Sequence, residues 1–133
     1  MCNCDFCKII EKKLDAFVVH ETDKNIVFLD YEPINEGHVL IVPKVHAASI
    51  TDIPNDTLTE INEIIKKIVS IYQQEYGAKG YSIMQNGGEF CDYGHFHMHV
   101  FPRFKNDGFG WTDSERPVEY SEKEAEKIRK AFK

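Results

Sequence analysis

The sequence predicts an α+β domain: a mostly antiparallel sheet carrying one long helix and a short C-terminal helix. Three observations support this. Two short apolar runs, 16–21 and 25–30, flank a polar Thr22-Asp23-Lys24 turn. Apolar residues recur at helical spacing from Pro54 to Tyr76. Two further strand-like runs, 80–85 and 95–103, follow that stretch.

In chain order, Phe6 to Lys12 reads as a short helix. The two runs around Thr22-Asp23-Lys24 read as a hairpin. Tyr31 to Gly37 is a loop, punctuated by Pro33 and Gly37. His38-Val39-Leu40-Ile41-Val42 is a nearly continuous apolar run closed by Pro43, the pattern of a buried strand. In the long helix Leu58, Ile61, Ile65, Ile68, Tyr72 and Tyr76 step by three and four, with Glu60, Glu63, Lys66 and Lys67 between them. Pro54 suits its first turn and Gly77 its C′ position. Ser121-Glu122-Lys123-Glu124 forms a capping box that opens a last helix over about 121–132. No repeat, low-complexity tract or Gly/Ser linker divides the chain. Residues 1–133 are therefore expected to form one domain, with its core over about 4–111.

With 133 residues, 42% of them apolar, the chain can build one core. A net charge of -6 argues against a nucleic-acid polymer as partner, because such binding rests on many Lys and Arg contacts to phosphate. A small nucleotide needs only a few local donors. No stretch approaches the roughly 20 apolar residues of a membrane span. Met1-Cys2-Asn3-Cys4-Asp5 lacks the basic and apolar regions of a secretory signal. A cytoplasmic location is expected, where cysteines serve as thiols or metal ligands rather than disulfides.

The chemistry concentrates in His95-Phe96-His97-Met98-His99-Val100-Phe101. Alternate side chains of a strand share a face, so the three histidines point one way and Phe96, Met98 and Val100 point into the core. Three of the six histidines lie within five residues, which a structural sheet has no need of. A row of alternating imidazoles suits either catalysis or a metal. His38 and His46 flank the apolar strand, and with the row they suggest convergence. Cys4-Asp5-Phe6-Cys7 places two thiols at a spacing that chelates one ion, with Cys2 as a geometrically poorer third.

The row matches the His-φ-His-φ-His-φ-φ signature (φ apolar) of the histidine triad, or HIT, family. Cys4 to Ile10, Phe28-Leu29-Asp30 and Gly37 to His46 resemble further family segments in order, so the resemblance covers about residues 4–111. It implies a HIT-like fold, a two-fold homodimer, and a purine nucleotide conjugate as substrate. It further implies that His97 is the nucleophile toward the α-phosphorus of a nucleoside phosphoramidate or dinucleoside polyphosphate. The product of that attack is a nucleotidyl-histidine, which water resolves to a nucleoside monophosphate. His99 and His38 correspond to residues around the phosphate, and Asp30 to the ribose ligand. Asn86, or Gln85 one position earlier, corresponds to a polar residue of the nucleotide pocket. Cys4, Cys7, His46 and His95 correspond to the structural zinc ligands of some bacterial members. A phosphorylase acting on the same intermediate, and a non-catalytic nucleotide- and zinc-binding interaction module, are the alternatives.

One segment departs from the family pattern. Many members carry Gly-Gln-Ser/Thr-Val before the triad, whereas this chain reads Glu89-Phe90-Cys91-Asp92-Tyr93-Gly94. Asp92 is the nearest polar substitute, and its negative charge disfavours a polyphosphate leaving group.

Overall fold

The computed structural model describes residues 4–133. A short helix α1 (Asp5–Ile10) precedes the hairpin strands β1 (Val18–Glu21) and β2 (Asn25–Leu29) and then β3 (Val39–Pro43). The long helix α2 (Asn55–Tyr76), strands β4 (Gly80–Met84) and β5 (Met98–Arg103), and helix α3 (Glu122–Ala131) follow. The five strands form one sheet in the order β1-β2-β3-β5-β4, and every neighbouring pair is antiparallel.

Strand periodicity divides the apolar residues between two layers. Val27, Val39, Ile41 and Val100 meet Ile61, Ile65, Ile68 and Tyr72 of α2. Ile26, Phe28, Leu40 and Val42 meet Phe6 and Ile9 of α1 on the opposite face. Covering the sheet on both sides explains why β2 and β3 read as continuous apolar runs rather than alternating ones. Each aliphatic side chain so buried contributes about 1.5–3 kcal/mol of transfer free energy.

The α2 stripe is buried as its spacing predicts, from Ile61 to Tyr72, with Leu58 packed at its margin. Pro54 stands one residue earlier than expected, at the N-cap, and Gly77 closes the helix in the left-handed conformation at φ 58°. Tyr76 is the exception, 40% exposed. Its ring covers Gly37, where an added Cβ would lie 2.9 Å from Tyr76 Cζ. Gly37 itself sits at φ +84°. Gly37→Ala is therefore expected to cost about 1–2 kcal/mol from backbone strain alone, read as a lower urea midpoint. Tyr72 ties α2 to the sheet, its hydroxyl lying 2.6 Å from the Gly37 carbonyl and 2.8 Å from that of Val100.

The last sheet strand starts later than expected, at Met98 rather than His95. The β3–β5 ladder ends at Ile41–Met98, and the segment 95–97 finds other partners. The Phe96 amide donates to the Ala47 carbonyl at 2.6 Å, and His95 Nε2 lies 2.8 Å from the Pro43 carbonyl. The alternation of side chains survives the end of the ladder, since Phe96 and Val100 are fully buried in the α2 layer. Short 3-10 turns occupy Ile50–Asp52 and Gly88–Phe90, outside the expected helices and strands. At the C-terminal end, Ser121 accepts the Glu124 amide hydrogen bond at 3.3 Å, as a capping residue should, and none of the α3 residues is buried. No described helix is long and apolar enough to cross a membrane.

Candidate active site and metal centre

Antiparallel pairing of Leu40 with His99 sets the site on the α1 side of the sheet. His38, just before β3, shares the Leu40 face. Its Nε2 lies 3.0 Å from His99 Nδ1. The Asp30 amide donates to the His38 carbonyl at 2.9 Å, carrying the β2–β3 pairing one step further. That step brings Asp30 Oδ2 within 3.3 Å of His38 Nε2 and 3.5 Å of His99 Nδ1. The other Asp30 oxygen accepts the Glu32 amide at 2.8 Å, and His38 Nδ1 accepts the Ile34 amide at 3.0 Å.

Burial pushes the His38 pKa down, against the pull of Asp30. Burial, with His97 and His38 nearby, lowers His99 to about 4, although Asp30 and Asp92 oppose it. Both imidazoles are neutral near pH 7. Unfolded, His99 takes a proton near its ordinary 6.5, whereas folded it resists until about 4. Between those values the unfolded chain binds more protons, so this contribution to stability is complete above 6.5 and is lost as pH falls toward 4. The urea midpoint is expected to drop across that window, and His99→Gln to drop less.

His97 is 97% removed from solvent, being 3% exposed, and its ring is gripped on several sides. Phe6 meets it edge-on at 5.0 Å between centroids, His99 at 4.9 Å and Tyr93 at 5.9 Å. Its Nδ1 lies 2.8 Å from the His95 carbonyl. A carbonyl only accepts, so the neutral ring carries its hydrogen on Nδ1 and keeps a lone pair on Nε2. The Cys91 thiol donates to the same carbonyl at 3.3 Å.

His95, in contrast, faces the cysteines. Its Nε2 hydrogen goes to the Pro43 carbonyl, which leaves an Nδ1 lone pair. That atom lies 3.3 Å from Cys4 Sγ, 3.6 Å from Cys7 Sγ and 3.1 Å from His46 Nδ1. His46 Nδ1 is 3.7 Å from Cys4 Sγ and 3.5 Å from Cys7 Sγ. Metal–sulfur bonds of about 2.3 Å and metal–nitrogen bonds of about 2.0–2.1 Å give tetrahedral edges of roughly 3.3–3.8 Å. The four sulfur–nitrogen edges fall in that range and the nitrogen–nitrogen edge of 3.1 Å lies just below it, so the cluster can hold one metal ion. The Cys-x-x-Cys spacing achieves this because Cys4 is the N-cap of α1 and its Sγ accepts the Cys7 amide at 3.3 Å, which brings the two thiols to one end of the helix. Cys2, the geometrically poorer third thiolate, lies outside the described residues.

The Met84–His99 register puts Gln85 and Asn86 just past β4, at the histidine end of the sheet. Gln85 Nε2 donates to the Asn86 carbonyl at 2.7 Å. Among the described residues no hydrogen bond or ion pair joins either side chain to the histidines, and Asn86 and Asp92 are exposed. Sequence reading missed Phe6 and Tyr93 as neighbours of His97. Only Phe6 carried a signal, since it sits between the two cysteines.

The sequence pattern of the HIT domain matches residues 11–106. The chain belongs to the HIT domain family. Its closeness to individual members is substantial. It is 35% identical to an adenosine 5'-monophosphoramidase of Candida albicans, across 96% of this chain and 93% of the relative. This HIT protein superposes on a HIT family protein of Bacillus anthracis with a TM-score of 0.84 at 32% identity, covering 98% of this chain and 94% of that one. A zinc-bound histidine triad family protein of Mycobacterium smegmatis matches with a TM-score of 0.74 at 28% identity, covering 85% and 84%.

Proposed function

We propose that this HIT protein hydrolyses nucleotide conjugates at the α-phosphorus through a nucleotidyl-histidine intermediate. The observation that carries the reading is the hydrogen bond from His97 Nδ1 to the His95 carbonyl, which holds the Nε2 lone pair ready for attack. Attack forms a nitrogen–phosphorus bond on His97. With a phosphoramidate substrate the leaving nitrogen takes a proton from solvent and departs as an amine. Water then attacks phosphorus, the electron pair returns to Nε2, and a nucleoside monophosphate leaves. His99 offers a hydrogen-bond donor to the phosphate oxygens, and His38, whose ring lies 3.0 Å from it, orients that ring. Asp30 serves the ribose hydroxyls, and Asn86 or Gln85 lines the nucleotide pocket. The monophosphoramidase name of the Candida albicans relative supports the reaction class.

Cys4, Cys7, His46 and His95 would hold zinc in a structural role, supported by the tetrahedral edges and by the zinc-bound Mycobacterium smegmatis relative. Bound there, zinc would pin α1 to the segment that precedes β5. A reducing, cytoplasmic setting suits those thiols. Residues 1–133 act as one HIT unit that pairs with a second copy. The half-exposed Tyr81 and Ile83 of edge strand β4 support the pairing.

The test is incubation with adenosine 5'-phosphoramidate and with diadenosine polyphosphates, following monophosphate release with and without inorganic phosphate. Steady phosphate-independent release is expected. Nucleoside diphosphate formed only when phosphate is added marks a phosphorylase. Binding without turnover marks a non-catalytic module, and either result sinks the hydrolase reading.

A further inference from the structure

The histidines His38 and His99 are linked to a second group of polar residues on the far side of the loop 31–37. Asn35 Nδ2 donates to the Pro102 carbonyl at 2.9 Å and to Asp107 Oδ2 at 3.0 Å. Asp107 is itself held by Arg103 Nε at 2.7 Å and the Phe104 and Phe109 amides at 3.1 and 3.2 Å. Its side chain is only 7% exposed. The Asn35 carbonyl accepts the His38 amide at 3.2 Å, so the loop closes back on the site.

Between Asn35 and the site stands Ile34, whose amide points at His38 Nδ1. A backbone amide only donates, so His38 Nδ1 must present a lone pair, and the neutral ring carries its hydrogen on Nε2. That hydrogen faces His99 Nδ1 across 3.0 Å. A hydrogen on His99 Nδ1 would oppose it, so the His99 hydrogen is driven to Nε2. One amide thus sets the proton positions on two rings.

The same logic excludes a rival use of these groups. Asp30, His38 and His99 bring three donor atoms within 4.8 Å, a set that divalent metals accept. A metal on His38 Nε2 would need the lone pair there. The ring hydrogen would then sit on Nδ1, against the Ile34 amide hydrogen. The amide therefore selects a hydrogen-bonded relay over a metal site.

We infer that Asn35 is a positioning residue: anchored on Asp107 and the Pro102 carbonyl, it holds the Ile34 amide against His38 and so keeps His99 Nε2–H aimed as a donor to the substrate phosphate. The destination of that donor rests on the hydrolase reading above, whereas the proton order does not. Phe101 supports the His38 ring from behind at 4.9 Å between centroids, and Phe109 backs Phe101 at 5.1 Å.

Nitrogen-15 NMR of the imidazoles at pH 7 reads the proton order directly. In the unaltered protein both His38 and His99 should show a hydrogen on Nε2 and a bare Nδ1. In Asn35→Ala both rings should shift toward a mixture of tautomers. The kcat for phosphoramidate should fall on the order of tenfold with KM little changed, a smaller loss than the 10²–10³ of deleting a transition-state donor. Asp107→Asn reaches the brace from its other end and should give the same pattern where Asn35→Ala yields too little folded protein. A hydrogen on His38 Nδ1 in the unaltered protein, or an unchanged proton order in both variants, overturns the inference. The predicted proton order in a protein that never hydrolyses a conjugate would instead overturn only the function proposed above.

Discussion

His97→Ala is expected to leave a folded protein whose phosphoramidate hydrolysis has fallen on the order of 10⁴–10⁶-fold, the range seen when a covalent nucleophile is deleted elsewhere. The proposed His99 donor remains, but it would stabilise a displacement that no longer has an attacking atom. The His97 ring packs among Phe6, Tyr93 and His99, and its removal leaves no nucleophile in that place. The substitution also opens a space beside Phe6 and releases the His95 carbonyl, which keeps its bond from the Cys91 thiol. A loss of about 1–3 kcal/mol follows, within the margin of a typical domain. Monophosphate release measures the first effect and a thermal melt the second. Alkaline quenching, which spares an acid-labile nitrogen–phosphorus bond, should trap labelled nucleotide on the unaltered protein and none on the variant. Turnover within tenfold of the unaltered rate would remove His97 from the nucleophile's role.

Metal removal should have the next largest effect, and on stability before activity. Metal analysis of the purified protein is expected to give about one zinc per chain, and Cys4→Ser or a strong chelator to abolish it. At free zinc a thousand times the dissociation constant, binding to the folded state alone contributes about 4 kcal/mol. For a chain of this size that corresponds to a melting temperature lower by roughly 10–20 °C. The cause is local. Without the ion, α1 keeps its apolar face and its thiol contacts to His46 and His95 but loses the bond through the metal, and α1 carries Phe6, which packs against both His95 at 5.9 Å and His97 at 5.0 Å. Activity should decline as that packing loosens, well short of the loss in His97→Ala. A metal-free preparation with an unchanged melting temperature would rule out a structural ion.

The two predictions draw on parts of the molecule that were unequally legible in the sequence. The triad is visible because a period of two is a property of extended chain, and it held over 95–97 even where the ladder had ended. The first strand residue was misplaced for a related reason. Side-chain alternation does not reveal whether a backbone has a partner, and the Phe96 amide finds Ala47 instead of β3. Cys4 and Cys7 could be paired from spacing alone. Their partners His46 and His95 lie 39 and 88 residues from Cys7, distances that only the resemblance to a family bridged.

By itself, then, the sequence determined the α+β class, the order of its elements, the α2 core stripe and the histidine row, because each depends on periodicity along one segment. Tertiary structure decided how the row divides. His95 turns its Nδ1 to the cysteines because its Nε2 meets the Pro43 carbonyl, and His97 keeps its lone pair on Nε2 because its Nδ1 meets the His95 carbonyl. His38 and His99 take their proton order from the Ile34 amide, with Asn35 and Asp107 behind it. Every residue except proline carries an amide hydrogen and all carry a carbonyl, so residue type does not mark the ones that matter. Only the fold brings a particular amide or carbonyl against a particular ring, and that contact gives three histidines of one kind different free nitrogens, on which the proposed roles of ligand, nucleophile and donor rest.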